Sequence, residues 1–172
     1  LARSLKNYAF PSHYKPGQGN KVINEVADAV LSLGDYKVFT MEDLPALDAE
    51  VMQEKHLISS NLLENKESGA VILNSDETIS IMVNEEDHIR EQCLLSGLNL
   101  DAAYRALEKI DNQICKKLDI AYDSDKGFLT SCITNVGTGL RVSVMLFLPA
   151  LTLTKKIDGL IDNLRKNGMA VR

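Results

Sequence analysis

Two apolar, β-rich runs, GAVILN at 69–74 and TISIMV at 78–83, are separated only by Ser75, Asp76 and Glu77. Three polar residues are too few for a crossover helix, so the runs read as an antiparallel hairpin. Elsewhere the apolar period changes. Val22, Val26, Val30 and Leu33 recur at three- and four-residue steps, which predicts a helix from Asn20 with Gly34 as its stop. Leu100, Tyr104, Leu107, Ile110, Ile114 and Leu118 make a second helical stripe within 100–122. ALDAEVMQEKHL (46–57) predicts a short helix ending near His56, and YKVFTM (36–41) a strand. LRVSVMLFL (140–148) predicts another strand. Pro149 opens a helical pattern to about Lys166, and MAVR after Gly168 starts a further strand. Residues 1–19, punctuated by Pro11, Pro16, Gly17 and Gly19, read as loop. The sum is an α+β fold, one mainly antiparallel sheet with helices packed on it, as a single domain over 1–172.

Composition removes several function classes. A formal charge of −5 argues against a general nucleic-acid binder, which needs a basic face to release counterions. No apolar run approaches the roughly 20 residues of a membrane span, and no secretory signal opens the chain. Cys93, Cys115 and Cys132 are scattered and odd in number, so neither a zinc pair nor a disulfide framework is indicated, and a reduced cytoplasmic setting is expected. Cys115 lies beside the second helical stripe and reads as a buried structural thiol. Leu1, in place of Met, reads as a cut inside a longer protein.

Two stretches remain. In IMVNEEDHIREQ (81–92), an apolar run ends in Glu85, Glu86, Asp87, His88 and Arg90. If the strand from Thr78 continues through Gln92, then Asn84, Glu86, His88, Arg90 and Gln92 share one face. Such a row is costly over an apolar core and must face water, a partner or a ligand; by itself a solvated face is the commoner outcome. In TSCITNVGTGLR (130–141), Gly137 and Gly139 allow a tight turn and close backbone approach, and Arg141 opens the next apolar run. Cys132 is either an inert buried thiol or a thiolate stabilised by nearby cations.

Together these stretches are more specific than either alone. NEEDHIR followed some forty residues later by C-x-T-N-x-G-T-G-L-R resembles the ATP:guanidino phosphotransferases, the family of creatine and arginine kinases. LARSLKNYAFP, EKHLIS, VNEEDHIREQC, LTSCITNVGTGLR and LPALTLTKKI follow in the family's order and are most similar to its bacterial protein-arginine kinase branch.

The resemblance implies the central part of a guanidino kinase catalytic domain, with the glutamine synthetase-like fold. It implies transfer of the ATP γ-phosphoryl group to arginine side chains of proteins, with Mg²⁺ held mainly through the nucleotide phosphates. Glu86 then corresponds to a catalytic carboxylate and Cys132 to the cysteine lying against the guanidinium. His56, Arg90, Arg141, Val142, Ser143, Val144, Met145 and Arg172 correspond to the ATP site. Asn84, Glu85, Asp87, His88, Asn135, Gly137, Thr138 and Gly139 complete the motifs in supporting roles. The family's paired arginines would precede Leu1 and a second carboxylate would follow Arg172, so this stretch alone is expected to have little activity. Implied partners are arginine-bearing proteins, including a heat-shock repressor, an activator protein and a Clp protease; a homodimer is compatible, and nucleic acid and membrane are not expected. Two other readings are a phosphagen kinase acting on a small guanidine and a non-catalytic nucleotide-binding regulatory module.

Overall fold

The computed structural model describes residues 1–171. The strands are β1 (Ala2–Arg3), β2 (Tyr36–Thr40), β3 (Ala70–Asn74), β4 (Ile79–Val83) and β5 (Ile89–Cys93). They form one antiparallel sheet in the order β1-β5-β4-β3-β2, with the expected β3–β4 hairpin inside it. A two-stranded ribbon of β6 (Tyr122–Asp123) and β7 (Gly127–Phe128) is additional. The helices of this part are α1 (Gln18–Leu31), α2 (Ala46–Glu54), α3 (Ser60–Glu64) and α4 (Leu100–Lys117). The α+β, mainly antiparallel expectation therefore holds.

Alternation along the strands explains the continuous apolar runs. Ala70, Ile72, Ile79, Ile81 and Val83 point into a core shared with Val22, Val26 and Val30 of α1 and Leu107 and Ile114 of α4. Val71, Leu73 and Met82 point the other way, onto Ala49 of α2, Leu62 of α3 and Met41. A strand covered on both faces has no polar side, which is why the hairpin reads as unbroken hydrophobicity. Ile72 and Ile81 are fully buried, and each contributes on the order of 2 kcal/mol of transfer free energy.

The chain divides into two compact units, residues 1–142 and the segment from Ser143 onward. In the second, Pro149–Leu153 and Ile157–Lys166 form α5 and α6 in place of one helix. The break falls at Lys155, whose φ of 55° is left-handed, after Thr154 turns its hydroxyl back onto Ala150 O at 2.7 Å. The strand expected at 140–148 is absent, and Val142, Met145 and Phe147 are exposed. A β pattern needs a neighbouring ladder to become a strand, and no described residue supplies one there. Residues 169–171 are likewise irregular. The first nineteen residues are more ordered than their punctuation suggests. They contain β1, a 3₁₀ turn at Pro11–His13 and the start of α1.

Behind β5 lies a buried polar cluster. Arg3 donates to both carboxylate oxygens of Asp111, Nε to Oδ1 at 2.8 Å and Nη2 to Oδ2 at 2.7 Å. Cys115 donates its thiol to Asp111 at 3.5 Å and, chiefly through burial, is pushed up to about 12, as suits a structural thiol. Glu91 is 1% exposed, and neither carboxylate oxygen has a hydrogen-bond partner among the described residues. Burial, followed by the Asp111 carboxylate, pushes its pKa up to about 8. The folded protein thus holds a proton that the unfolded chain releases above its ordinary carboxylate value. Stability should fall as pH rises from about 4.5 to about 8 and level off above, a loss on the order of 5 kcal/mol. Urea unfolding from pH 5 to 9 should show this slope in the wild type and a flatter one in Glu91→Gln. Parallel slopes would remove Glu91 as its cause.

Candidate active site

A strand unbroken from Thr78 to Gln92 would hold 84–88 in its middle; the structure instead makes these residues the turn between β4 and β5. Val83 pairs with Ile89, so the chain reverses between them. Asn84 adopts φ 58°, a left-handed conformation that Asn tolerates, and its N–H closes the turn on His88 O at 3.0 Å. The Asn84 side chain is fully buried, donating to Ser68 O (2.7 Å) and Gly19 O (3.1 Å) and accepting from the Tyr14 hydroxyl. The shared face proposed for Asn84, Glu86, His88, Arg90 and Gln92 therefore shrinks to Arg90 and Gln92. A turn wins because it gives Asn84, Asp87 and His88 buried hydrogen-bond partners that an extended strand would not offer.

Three of the turn's four remaining residues are pinned. His88 is buried among Tyr8, Phe10 and Tyr14. Its Nδ1 accepts from Leu5 N–H at 3.1 Å, so Nε2–H donates to Ala9 O at 2.9 Å. Desolvation depresses its pKa, and the neutral ring serves as a strut. Asp87 Oδ1 accepts from Ser131 N–H at 2.6 Å and from the Ser4 hydroxyl at 2.8 Å. Glu85, with a side chain 3% exposed, accepts through Oε1 from Arg90 Nη1 at 2.8 Å and Ser59 Oγ at 2.7 Å. Its Oε2 accepts from Glu86 N–H at 3.0 Å. Glu86 alone is exposed, and the hydrogen bond it makes among the described residues is through its backbone N–H, not its carboxylate.

The turn thus carries one unengaged carboxylate between two engaged ones. On the Arg90 side, Gln92 Nε2 donates to His56 O at 2.6 Å and Leu57 O at 3.1 Å. This fastens the segment after α2 to β5. His56 itself is exposed, with φ 59°, the left-handed residue that commonly terminates a helix. On the Asp87 side, Cys132 follows the anchored Ser131; it is partly buried, and its Sγ lies 3.0 Å from Thr134 Oγ1. Hydrogen bonds thus join the turn's acids to Ser131, the neighbour of Cys132, and to Ser59, three residues beyond His56, while the His56 carbonyl itself meets Gln92 farther along β5.

The 137–139 stretch closes against the edge of the sheet and the β6–β7 ribbon. Gly139, at φ 60°, accepts from Ala2 N–H at 2.9 Å, and a Cβ there would lie 2.5 Å from Ala2 O. Thr138 O accepts from Arg3 Nη1 at 2.9 Å, and Gly137 forms a bridge with Phe128. Ala2 pairs with Arg90 across β1–β5, so this segment is tied to the sheet edge at the Arg90 rung. Asn135 ends the short 3₁₀ turn that begins beyond Cys132. Arg141 and Val142 follow as exposed residues; Ser143, Val144 and Met145 open the second unit, also exposed. Arg172 lies outside the described residues. Ser4, Ser59 and Ser131 were not singled out in the sequence. Ser59 carried a signal, since its hydroxyl caps α3 by accepting from Leu62 N–H. Ser131 acts through its backbone, which no residue-type pattern reveals.

Chemically, an unengaged carboxylate beside a thiol loop can pair with a cation and accept its proton. A guanidinium held by one edge keeps its remaining donors for an anion. The model of the family described as ATP:guanido phosphotransferase, C-terminal catalytic domain, matches residues 19–172. A protein-arginine kinase of Caldanaerobacter subterraneus subsp. tengcongensis is 46% identical over 177 residues, covering all of this chain and 52% of its own length. One from Clostridium tetani is 44% identical, again over the whole chain and 51% of its length. The chain thus spans about half the length of the curated relatives it matches. Among solved structures, the duplicated taurocyamine kinase from Schistosoma mansoni with bound transition state analog components has a TM-score of 0.82 at 25% identity, covering 92% of this chain and 24% of that one.

Proposed function

This chain belongs to the ATP:guanido phosphotransferase family, and we propose that the protein carrying it is a protein-arginine kinase. The reaction joins a guanidinium nitrogen of a substrate arginine to the γ-phosphorus of ATP. The bond from that phosphorus to the β–γ bridging oxygen breaks, and ADP leaves with the electron pair. The nitrogen's proton passes to a carboxylate, and Glu86 is the group we assign to receive it. A guanidinium with a pKa of about 12.5–13.8 is nearly inert at neutral pH, so a carboxylate that pairs with it and takes its proton is the first requirement. The second is cationic compensation for a phosphoryl group in flight. Arg90 and Arg141 supply it here, with Arg172 beyond the described residues. Mg²⁺, carried mainly on the nucleotide phosphates, would neutralise further charge. His56 would border the nucleotide, and Cys132 as a thiolate would add a negative neighbour for the guanidinium.

The observation carrying this reading is the contrast within the turn: Glu85 and Asp87 are consumed by structure, while Glu86 between them is exposed and unengaged. Identity of about 45% to protein-arginine kinases over the whole chain supports a protein substrate. On the same basis we extend to this protein cytoplasmic action, an activator protein, and delivery of marked proteins such as a heat-shock repressor to a Clp protease. Likeness to a taurocyamine kinase favours a second reading, a small guanidine as acceptor. Incubating the complete protein with ATP and either free arginine or an arginine-rich protein separates the two. Acid-labile phosphate is expected on the protein; phosphate on the small molecule alone would reverse the assignment.

A further inference from the structure

We propose that Glu85 is a positioning residue that presents Arg90 to the nucleotide phosphates and, through its second oxygen, sets the backbone of Glu86. This rests on the reading of Arg90 as a phosphate contact. One nearly buried carboxylate meets all three parts of the site. Oε1 takes the Nη1 edge of Arg90 at 2.8 Å and the hydroxyl of Ser59, three residues beyond His56, at 2.7 Å. Oε2 takes Glu86 N–H at 3.0 Å.

The asymmetry of exposure gives the interaction a direction. The Glu85 side chain is 3% exposed and held from three sides, whereas that of Arg90 is 37% exposed and reaches toward it from β5. The buried acid is the fixed partner and the arginine the guided one. Only Nη1 is engaged among the described residues, so Nε and Nη2 remain for an anion. An unguided arginine explores many rotamers, and restricting them before ligand arrives reduces the entropy lost on binding.

Reach and charge can be separated in the complete protein. Glu85→Asp keeps the charge but is one methylene too short. Glu85→Gln keeps the length and an acceptor for Arg90 and Ser59, but turns an amide NH2, itself a donor, toward Glu86 N–H. Steady-state kinetics and ADP titration calorimetry should show Glu85→Asp raising the KM for ATP about 10-fold, with the KM for the guanidinium substrate within about 2-fold. Glu85→Gln should keep the KM for ATP within about 3-fold while kcat falls about 10-fold. In an Arg90→Ala background, Glu85→Asp should add no further loss of nucleotide affinity. A merely structural Glu85 would lower Tm and the active fraction without moving the KM for ATP, which would overturn the proposal. Additive effects of Glu85→Asp and Arg90→Ala would overturn it too. If Arg90→Ala itself leaves nucleotide affinity unchanged, the assignment of Arg90 is what fails.

Discussion

Replacing Glu86 by Gln in the complete protein is expected to lower kcat by about 10²–10³-fold while leaving Tm within about 1 °C of wild type. The two halves of that result have different origins. Glu86 is exposed and the hydrogen bond it makes among the described residues is through its backbone N–H, so folding loses nothing when the charge is removed. Catalysis loses the proton acceptor and the anion that aligns the substrate guanidinium. Nucleotide affinity should stay within about 3-fold, because Arg90 is held by Glu85 and not by Glu86. Phosphoryl transfer at the wild-type rate would show that the turn is scaffold only, and would favour a non-catalytic nucleotide-binding module. A large drop in Tm would mean that Glu86 has structural partners after all.

The same substitution at either neighbour should behave differently, and the reason marks how far the sequence could be read. That NEEDH concentrates charge where an apolar strand ends is visible in the string of letters. Which of its acids is spent on structure is not. Asp87 and Glu85 are engaged because Ser4, Ser59 and Ser131 arrive from 83, 26 and 44 residues away, respectively. Linear spacing carries no trace of such meetings. The strand-face picture also failed here for a local reason. Asn84 in a left-handed conformation reverses the chain, and alternation ceases to apply past Val83.

For the fold, what was legible was what local periodicity encodes. The β3–β4 hairpin, α1, α4 and β2 appear where apolar spacing put them. The two-residue β1 has too few side chains for any period, and it exists through its pairing of Ala2 with Arg90 and Arg3 with Ile89. The run at 140–148 shows the converse, a strong β pattern that stays irregular without a neighbouring ladder. Propensity proposes a strand; pairing makes one.

Asp111→Ala is expected to be the most destabilising single change considered, by about 3–5 kcal/mol at pH 6 in chemical denaturation. Arg3 is 3% exposed and spends Nε and Nη2 on Asp111, so removing the acid strands a buried guanidinium without its counter-charge. The remaining ties, Nη1 to Ala2 O at 2.7 Å and Thr138 O at 2.9 Å, and the Phe128 ring 3.6 Å from the guanidinium carbon, do not replace it. Part of the loss should be recoverable by raising the pH. Glu91 is kept protonated by burial and then by Asp111, so without Asp111 its carboxyl ionises more readily and can itself oppose Arg3. The deficit should therefore shrink between pH 6 and pH 9. The damage should also travel toward the site, because Arg3 fastens Thr138 beside the glycine that meets β1 and precedes Arg141. Hydrogen exchange over 130–142 should rise in the variant. Replacing both partners, Arg3→Met with Asp111→Leu, should restore at least half of the lost stability, since no charge is then left unpaired. A double variant as unstable as Asp111→Ala would mean that packing and the Arg3 backbone ties, not a stranded charge, hold β1 against α4.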